Sequence, residues 1–183
     1  RLVADESVKN HCLADLPKVR RIPQTEEIFL FLDTAGRGFE EKAEVGSQSL
    51  YNPEEAKLLV HKLQQLLAAG VPPEGIAVIS PYSAQVRLLN SLVHDRRIEV
   101  DSVDGFQGRE KEAVLVSLVR SNFEGEMGFL TDTRRMNVAM TRAKRHLLLI
   151  GDSATIGGIP FYEKLLHYAE SIQAYRSSWE EMV

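Results

Sequence analysis

A chain of 183 residues, 44% hydrophobic and 26% charged, holds enough apolar material for one folded domain. It has no run of about 18 apolar residues to span a bilayer, and its opening RLVADESVKNHC lacks the apolar stretch of a signal peptide. A formal net charge of −4 excludes a polycation that binds nucleic acid by bulk charge, and one cysteine with five scattered histidines excludes zinc-ligand spacing. Cys12 cannot close an internal disulfide, which suits an intracellular protein of cytoplasm or nucleus. The chain opens on Arg1 rather than Met and reads as a piece of a longer polypeptide.

Residues 1–27 carry Pro17 and Pro23 without strong periodicity, and are expected to be an interdomain or incomplete segment. Apolar runs at residues 28–33, 76–80, 99–103, 113–119 and 146–151 predict five strands. Several are continuous rather than alternating, as strands buried on both faces of a parallel sheet are. The polar, glycine-bearing stretch 34–51 predicts a long, mobile surface loop. A helix is expected over 53–69, with Asn52 as N-cap, Pro53 at its first position, Glu55 reaching back as in a capping box, and Gly70 ending it. Further helices are expected over about 83–94, 132–144 and 160–172, leaving 176–183 as a tail. Strands alternating with helices give an α/β fold, a three-layer parallel sheet with helices on both faces, over residues 28–175.

Three stretches bear on chemistry. Gly36-x-Gly38 follows a strand as a dinucleotide fingerprint does, but Glu41 stands where a third glycine belongs, so the match is weak. No phosphate-cradling G-x-x-x-x-G-K-[ST] occurs anywhere. Residues 101–122 instead deliver a polar loop with Gly105 and Gly108 between two strands, a setting that suits close approach of phosphate and equally suits an ordinary turn. In residues 132–146, five cations (Arg134, Arg135, Arg142, Lys144, Arg145) stand together with no acid after Asp132. Helical spacing places Met136, Met140 and Ala143 inward and aligns Arg135 with Arg142. A solvated face normally mixes in glutamates; unneutralised arginines suit a phosphate-bearing partner.

These blocks resemble motifs V and VI of superfamily 1 helicases, in the branch of the nonsense-mediated-decay and immunoglobulin-mu-binding helicases. The resemblance runs over VDGFQGREKE, VRSN, GFL and RRMNVAMTRAKRH, with ISPYSAQ and DTAG upstream, and covers about residues 28–152. It implies a RecA-like, P-loop-type domain lacking its own P-loop: the second of two motor domains that sandwich ATP. The first RecA-like domain of the same polypeptide would supply the P-loop and the ligands of Mg2+, and no metal is expected on this chain.

The resemblance also distributes roles. Arg142 is expected as the catalytic arginine finger on the γ-phosphate, with Arg135 second in line. Gly108, Arg109 and Glu110 are expected at the nucleotide, Glu110 on the ribose. Ser80, Pro81, Tyr82 and Gln85, with Ser102, Asp104 and Gln107, are expected along single-stranded DNA or RNA, where hydroxyls and amides bind backbone without reading sequence. Asp104 suits phosphate only if it orients a neighbour. The activity implied is that of an ATP-dependent 5′-to-3′ helicase, the isolated chain being inactive. A non-catalytic nucleic-acid-binding module is the competing reading, and a dinucleotide-binding oxidoreductase a third that leaves the cationic window unexplained.

Overall fold

The computed structural model describes residues 11–180. In chain order it forms α1 (Pro23–Glu26), β1 (Phe29–Asp33), β2 (Lys42–Ala43), β3 (Leu50–Tyr51), α2 (Pro53–Ala68), β4 (Ile76–Ser80), α3 (Ser83–Leu92), β5 (Glu99–Ser102) and β6 (Lys111–Ser117). It continues through α4 (Thr133–Met140), β7 (Ala143–Gly151), α5 (Ser153–Ile156), α6 (Pro160–Ser171) and β8 (Tyr175–Ser177). Six strands make one sheet in the order β5-β4-β6-β7-β1-β8, every pairing parallel.

The strands are buried on both faces, and their residues divide by parity. Leu30, Leu32, Ile76, Val78, Ala113, Leu115, Leu148 and Ile150 meet Leu59, Leu63 and Leu66 of α2 and Leu89 of α3. Phe31, Ala77, Ile79, Val114, Val116 and Leu149 turn the other way, onto Met136 of α4, Ile156 of α5 and Tyr162 of α6. The three-layer parallel fold read from the sequence is therefore present.

Helix α2 starts where expected, since the Asn52 side chain accepts from Glu55 N at 3.0 Å behind Pro53. The other half of the capping box does not form. Asn52 N donates to Gln85 Oε1, and the Glu55 carboxylate turns inward to Ser117 Oγ and Val119 N. Past the helix, Gly70 lies at φ +97 with Lys18 O only 2.7 Å from where a Cβ would stand, so the chain needs glycine there.

Four expectations change. The segment before residue 28 is packed from Cys12 onward: Leu13 is fully buried in the α2-side core, and Arg20 N donates to Ala69 O at 2.8 Å; residues 1–10 lie outside the described residues. The 34–51 stretch contains the β2–β3 hairpin and is tied down where Asn52 Nδ2 donates to Phe39 O at 2.7 Å. Helix α4 ends at Met140, not near Lys144, because Ala143 takes a register position opposite Lys111 in the sheet. Finally, β8 adds a sixth strand, with Arg176 and Ser177 pairing to Leu32 and Asp33 past the expected end of the domain.

Candidate functional site

The connection from β5 to β6 has no helix. It returns from the C-terminal end of β5 to the N-terminal end of β6 by burying Val103 and Phe106 in the second core. Asp101 and Gly105 set its shape: a Cβ on Gly105 would stand 2.1 Å from Asp101 Oδ1. Ser102 Oγ accepts from Gly105 N at 3.0 Å. Arg109 folds back as a clamp, bonded to Glu99, to Asp101 at 3.0 Å and to the Gly105 carbonyl, with its guanidinium 5.0 Å from the Phe106 ring centre. Arg109 is thus engaged within its own loop. Gly108, at φ +81 in open space, makes the turn that presents Glu110 to solvent ahead of β6.

Thr141 and Arg142 form the turn from α4 into β7. Lys111 N donates to Arg142 O at 3.0 Å, so Glu110 and Arg142 each sit one residue before a paired position on neighbouring strands. Arg142 is half-buried; its Nε donates to Val138 O at 3.2 Å and an Nη to Thr141 Oγ1 at 3.4 Å. Among the described residues it has no carboxylate partner. A pocket of about 440 Å³ opens beside it, lined by His11, Glu110, Glu112, Ala143, Lys144 and Arg145.

The cationic window is partly neutralised from other elements, which the local sequence does not show. Arg145 pairs with Glu112 at 2.8 Å, and Arg135 pairs with Asp132 at 3.3 Å and Asp104 at 3.5 Å. Asp104 therefore holds a neighbouring guanidinium. Arg134, Arg142 and Lys144 keep their charge unpaired among the described residues.

The residues expected along the nucleic acid gather at the opposite, C-terminal edge of the sheet, where Ser80 and Ser102 stand in register. Exposure divides them. Pro81 and Ser102 are half-buried and Asp104 and Gln107 exposed, whereas Ser80, Tyr82 and Gln85 are buried. Tyr82 packs edge-on to Phe129, and its hydroxyl lies within 3.5 Å of Met127 O, Phe129 N and Arg120 Nη1. Burial pushes that phenol's pKa up, against the pull of Arg120. Gln85 accepts from Asn52 N at 2.9 Å and donates to Asn52 O and Ser117 Oγ. The Tyr82 ring and the Gln85 amide thus serve the interior, not the surface, because β4 and α3 deliver them beneath the edge.

Two clusters escaped the sequence reading. Glu41 Oε2 accepts from Arg120 Nε, Ser121 N and Asn122 Nδ2 at 2.9, 2.8 and 3.2 Å, binding the VRSN segment to the loop before β2. Glu55 is wholly buried, with Oε1 accepting from Ser117 and Val119 and Oε2 without a partner. Desolvation pushes its carboxyl up to about 7 despite those hydrogen bonds. No sequence signal marks the inward turn of Glu55, since the partners that hold it lie more than 60 residues away. Among the described residues no group of three His, Cys, Asp or Glu could hold a metal, and no helix is long and apolar enough to cross a membrane.

A parallel α/β sheet without a P-loop, with the glycine loop before β6 stitched to the arginine turn before β7, defines the C-terminal RecA-like domain of a superfamily 1 helicase. Residues 1–154 match the family model described as an AAA domain, and the chain belongs to that family. Among curated proteins it is similar to "DNA-binding protein SMUBP-2" of Rattus norvegicus, 46% identical over 182 residues. It is 45% identical over 163 residues to "DNA polymerase alpha-associated DNA helicase A" of Schizosaccharomyces pombe. These matches take in 98% and 85% of this chain but only 18% and 25% of the relatives. Among solved structures, the C-terminal domain of a possible DNA helicase from Lactobacillus plantarum shares the fold, with a TM-score of 0.53 at 14% identity over 82% of this chain and 85% of that one.

Proposed function

We propose that this domain is the second half of an ATP-dependent 5′-to-3′ helicase motor, lending an arginine finger to a nucleotide held mainly by the first RecA-like domain of the same polypeptide. The observation that carries this reading is the Lys111–Arg142 backbone bond, which sets Glu110 and the uncompensated Arg142 side by side at one sheet edge. Arg142 meets the γ-phosphate, and its fixed charge offsets the negative charge that builds in the transition state. Glu110 accepts from the ribose hydroxyls, with Gly108 giving the backbone its turn. Arg135 is a second phosphate ligand once it leaves Asp132 and Asp104. Arg109 acts through the loop it clamps. ATP binds with Mg2+, whose ligands belong to the partner domain.

Single-stranded DNA or RNA runs across the opposite edge. There Pro81, Ser102 and Gln107 face the backbone, while Ser80, Tyr82 and Gln85 hold that edge in shape from beneath. The names of both relatives speak of DNA. With the two ligands on opposite strand ends of one sheet, closure on ATP changes the grip on the strand, and the motor steps. The direction, 5′ to 3′, follows the helicase branch that the motifs resemble, and a strand-displacement assay with 5′ and 3′ overhangs reads it directly.

The test of the whole reading is Arg142→Ala in the full-length protein. ATP hydrolysis should fall by about 10³-fold or more while ATP binding changes little, and the isolated 183-residue chain should not turn over ATP. Undiminished hydrolysis in that variant, or appreciable turnover by the isolated chain, overturns it.

A further inference from the structure

The C-terminal edge carries an opening that neither proposed ligand uses. It is a crevice of about 490 Å³ beyond the ends of β1, β6 and β7, with Thr34, Glu40, Asn122, Phe123, Asp152 and Thr155 among its walls. Its charged lining residues, Glu40 and Asp152, are both acidic. Glu124 and Glu126 stand exposed on the same turn as Phe123. Phe123 is 98% exposed, a whole aromatic ring left in water. Thr34, 1% exposed, stands in the crevice wall, and its buried hydroxyl has no hydrogen-bond partner.

Acids beside an exposed ring repel a phosphodiester and favour a cation with an apolar stem. The molecule already shows this mode on the same rim. Arg37, between the lining glycines Gly36 and Gly38, places its guanidinium 4.3 Å from the Trp179 ring centre and 5.3 Å from that of Phe39. We infer that the crevice docks an arginine-bearing peptide segment of a partner protein or domain. The incoming guanidinium meets Glu40, with the buried charge of Asp152 behind it, and its stem lies on Phe123. A single strand of nucleic acid is disfavoured at this opening by the same carboxylates, so the track is confined to the Ser102 side of the edge.

The test is an NMR titration of the 15N-labelled chain, following the amides of Gly36, Gly38 and Gly125, which line the crevice. The probes are an acetylated Gly-Arg-Leu-Arg-Gly amide, its glutamate counterpart and a single-stranded oligothymidylate. The arginine peptide should shift these amides saturably, and more weakly as salt is raised. Phe123→Ser and Glu40→Lys, both at exposed positions, should each weaken it about fivefold or more, and the glutamate peptide should leave the amides unmoved. Three outcomes overturn the inference: no shift with the arginine peptide, equal binding by both variants, or oligothymidylate moving these amides and binding Glu40→Lys more tightly.

Discussion

The backbone N–H of Lys111 donates to the carbonyl of Arg142 at 3.0 Å, and this bond joins the glycine loop before β6 to the basic turn before β7. It makes one site of two motifs 32 residues apart, with Glu110 and Arg142 flanking the joint. Their roles separate in kinetics. In the proposed role on the ribose, Glu110 would touch a part of the nucleotide that does not react, so its contribution would be the same in ground and transition states. In the full-length protein, Glu110→Ala should raise KM for ATP about tenfold with kcat nearly unchanged, the converse of Arg142→Ala. A steady-state ATPase comparison reads the split, and a kcat loss in Glu110→Ala as large as that of Arg142→Ala removes it.

Gly105 is glycine because of Asp101, not because of its own backbone. A Cβ there meets the Asp101 carboxylate at 2.1 to 2.6 Å, and Asp101 in turn holds Ser102 N and Arg109. Gly105→Ala should cost about 1–3 kcal/mol as the loop yields, seen as a Tm lowered by several degrees. With Asp101→Ala the clash disappears, so the double variant should lose clearly less than the sum of the singles. Simple additivity in thermal melts counts against the contact as the cause.

Much of this architecture is legible in the sequence because continuous apolar runs, as at Ile76–Ser80, have few other uses. Where the reading failed, distant partners decided. Ala143, Lys144 and Arg145 suit a helix as well as a strand, and only the position opposite Lys111 ends α4 early. Tyr175–Ser177 has no apolar run, yet pairs with β1 and closes the sheet. At the site, the residue types were legible and their orientations were not. Tyr82 belongs to a motif expected along the single strand, but its hydroxyl partners come from residues 120–129, which cover it. Likewise two of the acids that quench Arg135 and Arg145, Asp104 and Glu112, lie outside the basic window.

Asp104, in the loop after β5, pairs with Arg135 of α4. The pair is 3.5 Å apart with side chains 68% and 49% exposed, so water screens it and its removal should change stability by less than about 1 kcal/mol. Its effect on the nucleotide should be larger, because Asp104→Asn leaves the Arg135 guanidinium held by Asp132 alone and freer to meet phosphate. KM for ATP in the full-length protein should fall severalfold, on the order of one kcal/mol of binding. An unchanged KM with an unchanged Tm leaves Arg135 outside the nucleotide site.

Glu55 ties stability to pH in a direction opposite to that of most carboxylates. Burial raises its pKa from 4.5 to about 7, so between these values the folded chain keeps a proton that the unfolded chain has released. Its contribution is therefore fully present below pH 4.5, is lost as pH rises through 7, and is constant above. The 2.5-unit difference caps this at about 3 kcal/mol. Glu55→Gln mimics the protonated form, with Ser117 Oγ and Val119 N still able to donate to its carbonyl. The variant should match the parent near pH 5 and exceed it at pH 8. His146 is held below its usual pKa by burial and loses stability as pH falls, but that effect is common to both proteins and cancels in the difference. Paired thermal melts across pH 5 to 8 decide the matter: parallel Tm curves would mean that Glu55 is ionised in its buried site and that the Asn52–Gln85–Ser117 network is built around a charge.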